Sequence, residues 1–290
     1  TQFLNPKGGV EADLTVTRLS DNHFWVITGS SFIANDMAWL KMHAREADGE
    51  ITIRDITEEW ACLALWGPKA RLTLQKVTQG NVTNEAHPYL MTKETTINGM
   101  KVFAQRVSYA GELGWELYVP YNRATMVWDM LMEAGKEFGI EVGGYKVLDS
   151  LRLEKGYRYY TADVTQLETP YEAGLGFCVD MNKKDFIGKD ALVKQKAEGV
   201  KRKLCTLVLD GDTFTQVYGG EAIYNDGKLI TRVRSGGYGY TLKKNIFYAY
   251  MPIELAKAGT RVEVELIEGR YQGEVAATVL FDPKGERLRA

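Results

Sequence analysis

The chain has few of the residues that mark disulfide-rich, metal-binding and nucleic-acid-binding proteins. It has 3 cysteines and 3 histidines in 290 residues, and neither set has the spacing of a metal site. The formal net charge is −2 and no basic block is present, so nucleic-acid binding has little electrostatic support. No apolar run is long enough to span a bilayer, and no membrane partner is expected. Cys62, Cys178 and Cys205 are expected to be core thiols in a reducing compartment, the cytoplasm or the mitochondrial matrix.

Nucleotide-binding and hydrolase motifs are missing too. Neither GxGxxG nor GxxxxGK[ST] occurs, and the glycines of SGGYGY at 235–240 lack the strand-then-helix context of a dinucleotide fingerprint. The chain is therefore not expected to bind FAD or NAD through a Rossmann unit of its own. No Ser/His/Asp nucleophile system stands out either.

The length and the sequence patterns predict an α+β protein of roughly two domains. Hydrophobic residues make up 45% of the chain and aromatic residues 11%, which is enough to build their cores. Residues 1–199 mix strand and helix patterns, whereas 200–290 carry short strands with glycine turns, which predict a small antiparallel β-barrel. The segment 161–185 lacks periodicity and is expected to be a long ordered loop. Predicted helices span 31–45, 69–77, 122–138, 145–156 and 188–197, and predicted early strands include 51–56 and 61–65.

The beginning of the chain predicts a β-hairpin. Residues 1–4 have a strand pattern, a turn follows at 5–9, and a second strand pattern begins at Ala12. Because the chain opens inside this hairpin, on Thr1, we expect it to be a piece of a longer polypeptide. Intact-mass measurement of the native protein tests this expectation.

The most informative segment is YAGELGWELYVP at 109–120. Its glycines Gly111 and Gly114 predict a tight hairpin turn with positive φ angles. Beyond the turn the strand period of two places Glu116 on the face opposite Trp115. If that face lines a cavity, Glu116 is a buried carboxylate that needs donors, and a ligand could supply them. The alternative is a surface hairpin with a solvated glutamate.

Two further residues, Asp13 and Arg152, have both a structural and a functional interpretation. Asp13 follows a glycine turn and enters a strand, so it is either a turn acid or a carboxylate placed at a cavity, with Thr15 on its face. Arg152 either pairs with Asp149, three residues earlier on a helix, or turns toward the same cavity as Glu116 to hold a carboxylate.

Together the motifs resemble the folate-binding aminomethyltransferase family, which includes the glycine cleavage T-protein and the C-terminal regions of dimethylglycine and sarcosine dehydrogenases and oxidases. The segments GGVEADLTV, YGYTLKKN and LFDPKGERLR are more similar in sequence to the dimethylglycine and sarcosine branch than to the T-protein. The similar segments occur in family order at 1–19, 65–71, 109–120, 148–160, 169–192, 235–252 and 280–289.

The resemblance implies a three-lobed ring with tetrahydrofolate in a central channel and a C-terminal barrel. It implies that Asp13 is the catalytic carboxylate, that Glu116 anchors the pterin with Tyr109 and Thr15 beside it, and that Arg152 contributes to the cofactor site. The expected activity is one-carbon transfer within a methylated-amine demethylating oxidoreductase, which captures an iminium or formaldehyde as 5,10-methylenetetrahydrofolate. The alternatives are a folate-dependent O- or S-demethylase and a non-catalytic protein of the same fold.

The resemblance also implies partners. The family segment that precedes the first hairpin and the flavin domain of this branch are both missing from the sequence. We therefore expect a flavoprotein domain or subunit to carry FAD, and a small methylated amine to be the donor substrate. The working form is expected to be an oligomeric complex.

Overall fold

The computed structural model describes residues 1–45 and 49–290, and within them the chain is α+β, as predicted. Its helices are α1 Ile33–His43, α2 Ala70–Val77, α3 Ala124–Gly135, α4 Tyr145–Glu154, α5 Lys189–Glu198 and α6 Glu286–Arg289. Its strands are β1 Gln2–Leu4, β2 Val10–Asp13, β3 Thr15–Ser20, β4 His23–Ile27, β5 Trp60–Trp66, β6 Thr92–Ile97, β7 Met100–Gln105, β8 Gly114–Pro120, β9 Arg202–Leu209, β10 Ala222–Asn225, β11 Lys228–Gly239, β12 Lys244–Pro252, β13 Arg261–Leu266 and β14 Gly269–Val275.

The chain forms two compact units. The first contains Thr1–Val16 and Tyr145–Pro283, and the second contains Thr17–Gly144 and Lys284–Ala290. The chain therefore starts in the first unit, passes through the second, returns to the first and finishes with Lys284–Ala290 in the second. The domain boundary expected near residue 200 stays a prediction, as does the division into 1–199 and 200–290.

The first unit contains a closed antiparallel barrel in the order β10-β11-β12-β9-β14-β13, which confirms the predicted C-terminal barrel. Alternate residues of its strands fill the interior, with Leu207, Phe247 and Val264 fully buried. Leu153 of α4 packs with Tyr248 in a second cluster. The last strand ends at Val275.

The same unit contains the opening hairpin and the long loop. β1 pairs with β2 in antiparallel register, as the sequence predicts. The segment 161–185 forms turns and the short 3₁₀ helix Gly176–Cys178, which confirms an ordered loop without a long element of its own.

The second unit is built on a four-stranded antiparallel sheet in the order β5-β8-β7-β6. One face packs against α2 and α3, where Leu74, Trp115 and Leu117 are completely buried. The sequence pattern does not predict β6, because TKETTI contains a single strongly apolar residue and so lacks a clear alternation.

Several local predictions of the sequence analysis are wrong. No strand forms at 51–56 in the described chain, and Ile51 is exposed there. An alternating pattern alone does not make a strand when no partner strand pairs with it. Among the cysteines, only Cys205 is buried, whereas Cys62 and Cys178 are exposed.

Candidate active site

The second unit presents a carboxylate on the face of its sheet opposite the helices. Trp115 is 0% exposed in the core beneath α2 and α3, and Glu116, the next residue, lies half-buried on the other face. Across the ladder Glu116 pairs with Ala64 on β5 and with Gln105 on β7. Directly opposed residues of neighbouring strands project to the same face, so Gln105 and Glu116 share a surface.

Tyr118 holds the carboxylate of Glu116. It lies two residues along the same strand, and its hydroxyl donates a hydrogen bond of 2.7 Å to Oε2 of Glu116. Tyr118 is 8% exposed; the ring of Trp25 approaches it edge-on, and Phe103 in turn packs edge-on against Trp25. Cys62 on β5 lies directly opposite Tyr118. A buried phenol therefore fixes one side of the carboxylate.

The electrostatics of this face leave the carboxylate without a countercharge. Within 1–45 and 49–290, no lysine, arginine or histidine forms an ion pair with Glu116. Burial raises the pKa of Glu116, and the hydrogen bond from Tyr118 lowers it in part. Burial, and then the nearby charge of Glu116, raise the pKa of the Cys62 thiol to about 12. A half-buried carboxylate of this kind is stabilised by any ligand that brings N–H donors.

The connection that precedes β8 differs from the predicted tight turn. β7 ends at Gln105 and β8 begins at Gly114, so residues 106–113 form a longer loop. Gly111 has φ +75°, as predicted, but Gly114 does not. Gly114 is required for another reason: a Cβ there would lie 2.1 Å from the carbonyl oxygen of Leu65. Tyr109 lies half-buried within this loop.

Asp13 and Thr15 belong to the first unit. Asp13 is the last residue of β2 and Thr15 the first of β3; both are exposed, while Leu14 between them is buried. This alternation fits the shared face that the sequence predicts. Nε2 of Gln2 donates a 3.0 Å hydrogen bond to Oδ1 of Asp13. Although Asp13 is exposed at the surface, neighbouring atoms reduce the hydration of its carboxylate, and this burial raises its pKa.

Arg152 has partners different from those expected for a ligand-binding residue. Its side chain is 3% exposed, and Nη1 lies 2.8 Å from Oδ2 of Asp163, which is 0% exposed. Nη2 donates to Oγ of Ser235 at 3.0 Å, and Ser235 donates in turn to Oδ1 of Asp163 at 2.6 Å. The predicted contact with Asp149 is also present at 3.5 Å. These contacts give Arg152 a structural role between α4 and the barrel, while its contribution to a cofactor site stays a prediction.

Two residues on the same face of the sheet as Glu116, Tyr118 and Gln105, were not among the predicted site residues. Tyr118 was detectable, because the strand period of two places it on the same face as Glu116. Gln105 was not, because its position depends on the register between β7 and β8. Gln105 is buried, and its Oε1 accepts a 2.9 Å hydrogen bond from the hydroxyl of Thr17.

The fold defines a class of protein that sequence comparison identifies. Residues 1–183 match the GCVT N-terminal domain, and residues 202–282 match the glycine cleavage T-protein C-terminal barrel domain. The chain therefore belongs to the glycine cleavage T-protein family of aminomethyltransferases.

Similar proteins extend this result. The chain is 38% identical over 292 residues to the mitochondrial dimethylglycine dehydrogenase of Homo sapiens, a match that covers 100% of the chain and 34% of that protein. It is 36% identical over 264 residues to an aminomethyltransferase of Caldanaerobacter subterraneus, covering 91% and 69% of the two. The crystal structure of the glycine cleavage system aminomethyltransferase T from Bartonella henselae superposes with a TM-score of 0.82 at 27% identity, covering 96% of this chain and 75% of that one. The chain thus spans about a third of the length of the dehydrogenase relative.

Within the described residues, no helix is both long and apolar enough to cross a membrane. Nor do the histidine, cysteine and acidic side chains of those residues form a group that could hold a metal ion.

Proposed function

We propose that the chain is the tetrahydrofolate-dependent one-carbon transfer module of an oxidoreductase that demethylates a small methylated amine. The observation that carries the proposal is Glu116, a half-buried carboxylate with a phenol donor on one side and no ion-pair partner among the described residues. A pterin presents a 2-amino group and an N3–H side by side, and one carboxylate can accept both.

The residues around Glu116 fit a flat heteroaromatic ligand. The neighbouring surface on the same face is formed by aromatic side chains, with Trp25 and Phe103 packed at 4.7 Å between ring centroids. Trp66 lies on the strand beside Glu116, and its indole nitrogen already donates to the carbonyl of Val107 at 2.9 Å. Aromatic walls with few polar anchors are typical of cofactor pockets. Tyr109, in the loop before β8, is proposed to lie beside the ring.

When bound, tetrahydrofolate supplies the amines N5 and N10 that accept the one-carbon unit. Asp13 is proposed to accept the proton that N5 loses as it adds to the electrophilic carbon. Since burial raises the pKa of Asp13 toward the operating pH, its carboxylate is a better proton acceptor than a fully solvated aspartate. Thr15 is proposed to lie beside the pterin, and Arg152 is proposed to contribute to the cofactor site in addition to its ion pair with Asp163.

The similarity to dimethylglycine dehydrogenase supports a methylated amine as the source of the carbon. Oxidation of such an amine gives an iminium, whose carbon passes to tetrahydrofolate while the demethylated amine leaves. The oxidation requires a redox cofactor, and we propose that a flavoprotein domain or subunit carries it as FAD. That relative is mitochondrial, which supports the mitochondrial matrix as the proposed compartment of this chain.

Calorimetry and product analysis test the proposal together. The chain is expected to bind tetrahydrofolate and, with formaldehyde as the carbon source, to accelerate formation of 5,10-methylenetetrahydrofolate and water. Formation of 5-methyltetrahydrofolate from an O- or S-methyl donor would instead establish a demethylase. If calorimetry detects no tetrahydrofolate binding, the proposal fails and a non-catalytic role replaces it.

A further inference from the structure

We propose that Tyr118 is a positioning residue for ligand binding: its hydroxyl holds the carboxylate of Glu116 at the orientation in which it accepts the paired N–H donors of a pterin. This inference rests on the proposed function, because it concerns how the proposed anchor is prepared for its ligand. It assigns a role to a residue that was not among the predicted site residues.

The geometry of the pair leaves the carboxylate free for a ligand on its other side. The Tyr118 hydroxyl lies 2.7 Å from Oε2 of Glu116, a normal length for a hydroxyl donor to a carboxylate. An ionised carboxylate has about four acceptor positions, of which Tyr118 occupies one. The remaining positions, two on Oε1 and one on Oε2, accept no hydrogen bond from the residues that the structure describes, and we propose that the ligand uses them.

Packing keeps the phenol in place. Phe103 lies opposite Tyr118 on β7 and Cys62 opposite it on β5, so the ring is flanked on both sides of its strand. Trp25 of β4 approaches it edge-on, with the ring centroids 5.8 Å apart. An enclosed ring has few alternative rotamers, and its hydroxyl therefore restricts Glu116 as well.

The charges around Glu116 support the same role. Tyr118 and Cys62 are the titratable groups that face it from β8 and β5. Gln105 of β7, Thr17 of β3 and Trp25 of β4 are uncharged. The hydrogen bond from Tyr118 lowers the pKa of Glu116 against the effect of burial. Removal of this hydrogen bond is expected to raise the pKa of Glu116. As the pH falls, the carboxylate would then be protonated, and ligand binding lost, at a higher pH than in the wild type.

The substitution Tyr118→Phe removes the hydroxyl and keeps the ring packing. We expect it to weaken tetrahydrofolate binding by about threefold to tenfold, because the carboxylate loses one restraint on its orientation but keeps its own bonds to the ligand. We also expect the acid limb of the binding profile to move to higher pH, because the pKa of Glu116 rises when the hydrogen bond is lost. Tyr121→Phe is the matched control, since Tyr121 is 67% exposed three residues further on, and it is expected to leave both quantities unchanged.

A double-mutant cycle with Glu116→Gln separates positioning from general damage. If Tyr118 acts through Glu116, Tyr118→Phe has little further effect in the Glu116→Gln background. An equal loss in both backgrounds would overturn the positioning role, as would an unmoved acid limb with unchanged affinity. Failure of the wild-type chain to bind tetrahydrofolate at any pH would instead overturn the proposed function, so the two failures are distinguishable.

Discussion

Replacement of Glu116 by glutamine tests the proposed anchor with the smallest change of shape. A carboxylate accepts both N–H donors of a pterin, whereas an amide accepts one and presents its own N–H₂ to the other. Hydrogen bonds to charged groups contribute about 1.5–3 kcal/mol each, so loss of one such bond and a clash at the second donor costs about 2–4 kcal/mol. This corresponds to an affinity weaker by about 30-fold to 700-fold.

The assay is calorimetric titration with tetrahydrofolate under reducing conditions at neutral pH. Glu94→Gln is the control, since Glu94 lies on β6 of the same sheet, exposed and paired with Lys101. The control is expected to bind as the wild type does. Binding by Glu116→Gln within about threefold of the wild type would refute the anchor role.

Stability measurements distinguish a lost contact from lost structure. The folded-state pKa of Glu116 is raised, so its contribution to stability is greatest at low pH and is lost as the pH rises through that pKa. Glu116→Gln removes this dependence, and its free energy of unfolding at neutral pH is expected to be at least that of the wild type. A variant that binds poorly and is no less stable has lost a ligand contact.

Three further predictions concern Asp13, Cys62 and Arg152. Asp13→Asn is expected to preserve tetrahydrofolate affinity and to slow methylene transfer by about 100-fold or more in a single-turnover assay; unchanged transfer would remove Asp13 from the mechanism. Cys62, although exposed, is expected to react slowly with iodoacetamide at pH 8, and faster in Glu116→Gln because loss of that charge lowers its pKa; mass spectrometry follows the rate, and equal rates would contradict the electrostatic contact. Arg152→Ala is expected to destabilise the fold by about 3 kcal/mol in urea unfolding because Asp163 is left buried without its partner. A loss of folate affinity at unchanged stability would instead support a ligand role for Arg152.

The period of two along β8 was enough to predict from sequence that Glu116 faces away from the core, because strand alternation is a local property. The antiparallel barrel was predictable for a similar reason, since its short strands are separated by glycine turns. The role of Gly114 was not predictable, because its cause is the close approach of Leu65 on a strand distant in sequence. Contacts between residues distant in sequence cannot be predicted from the local sequence pattern.

Arg152 shows the same limit for a predicted site residue. Its helix and its neighbour Asp149 can be deduced from the sequence, but Asp163 and Ser235 come from a loop and a barrel strand. A charged residue between leucines fits a ligand-binding role and a buried ion pair equally well. The structure shows the ion pair with Asp163, and the ligand-binding role stays a prediction.

The most direct test of the central claim is a crystal structure of the chain with tetrahydrofolate bound. The account predicts that the 2-amino group and N3 of the pterin lie within about 3 Å of the Glu116 carboxylate, while Tyr118 keeps its hydrogen bond to Oε2. A pterin bound elsewhere, with Glu116 contacting only solvent and Tyr118, would contradict it.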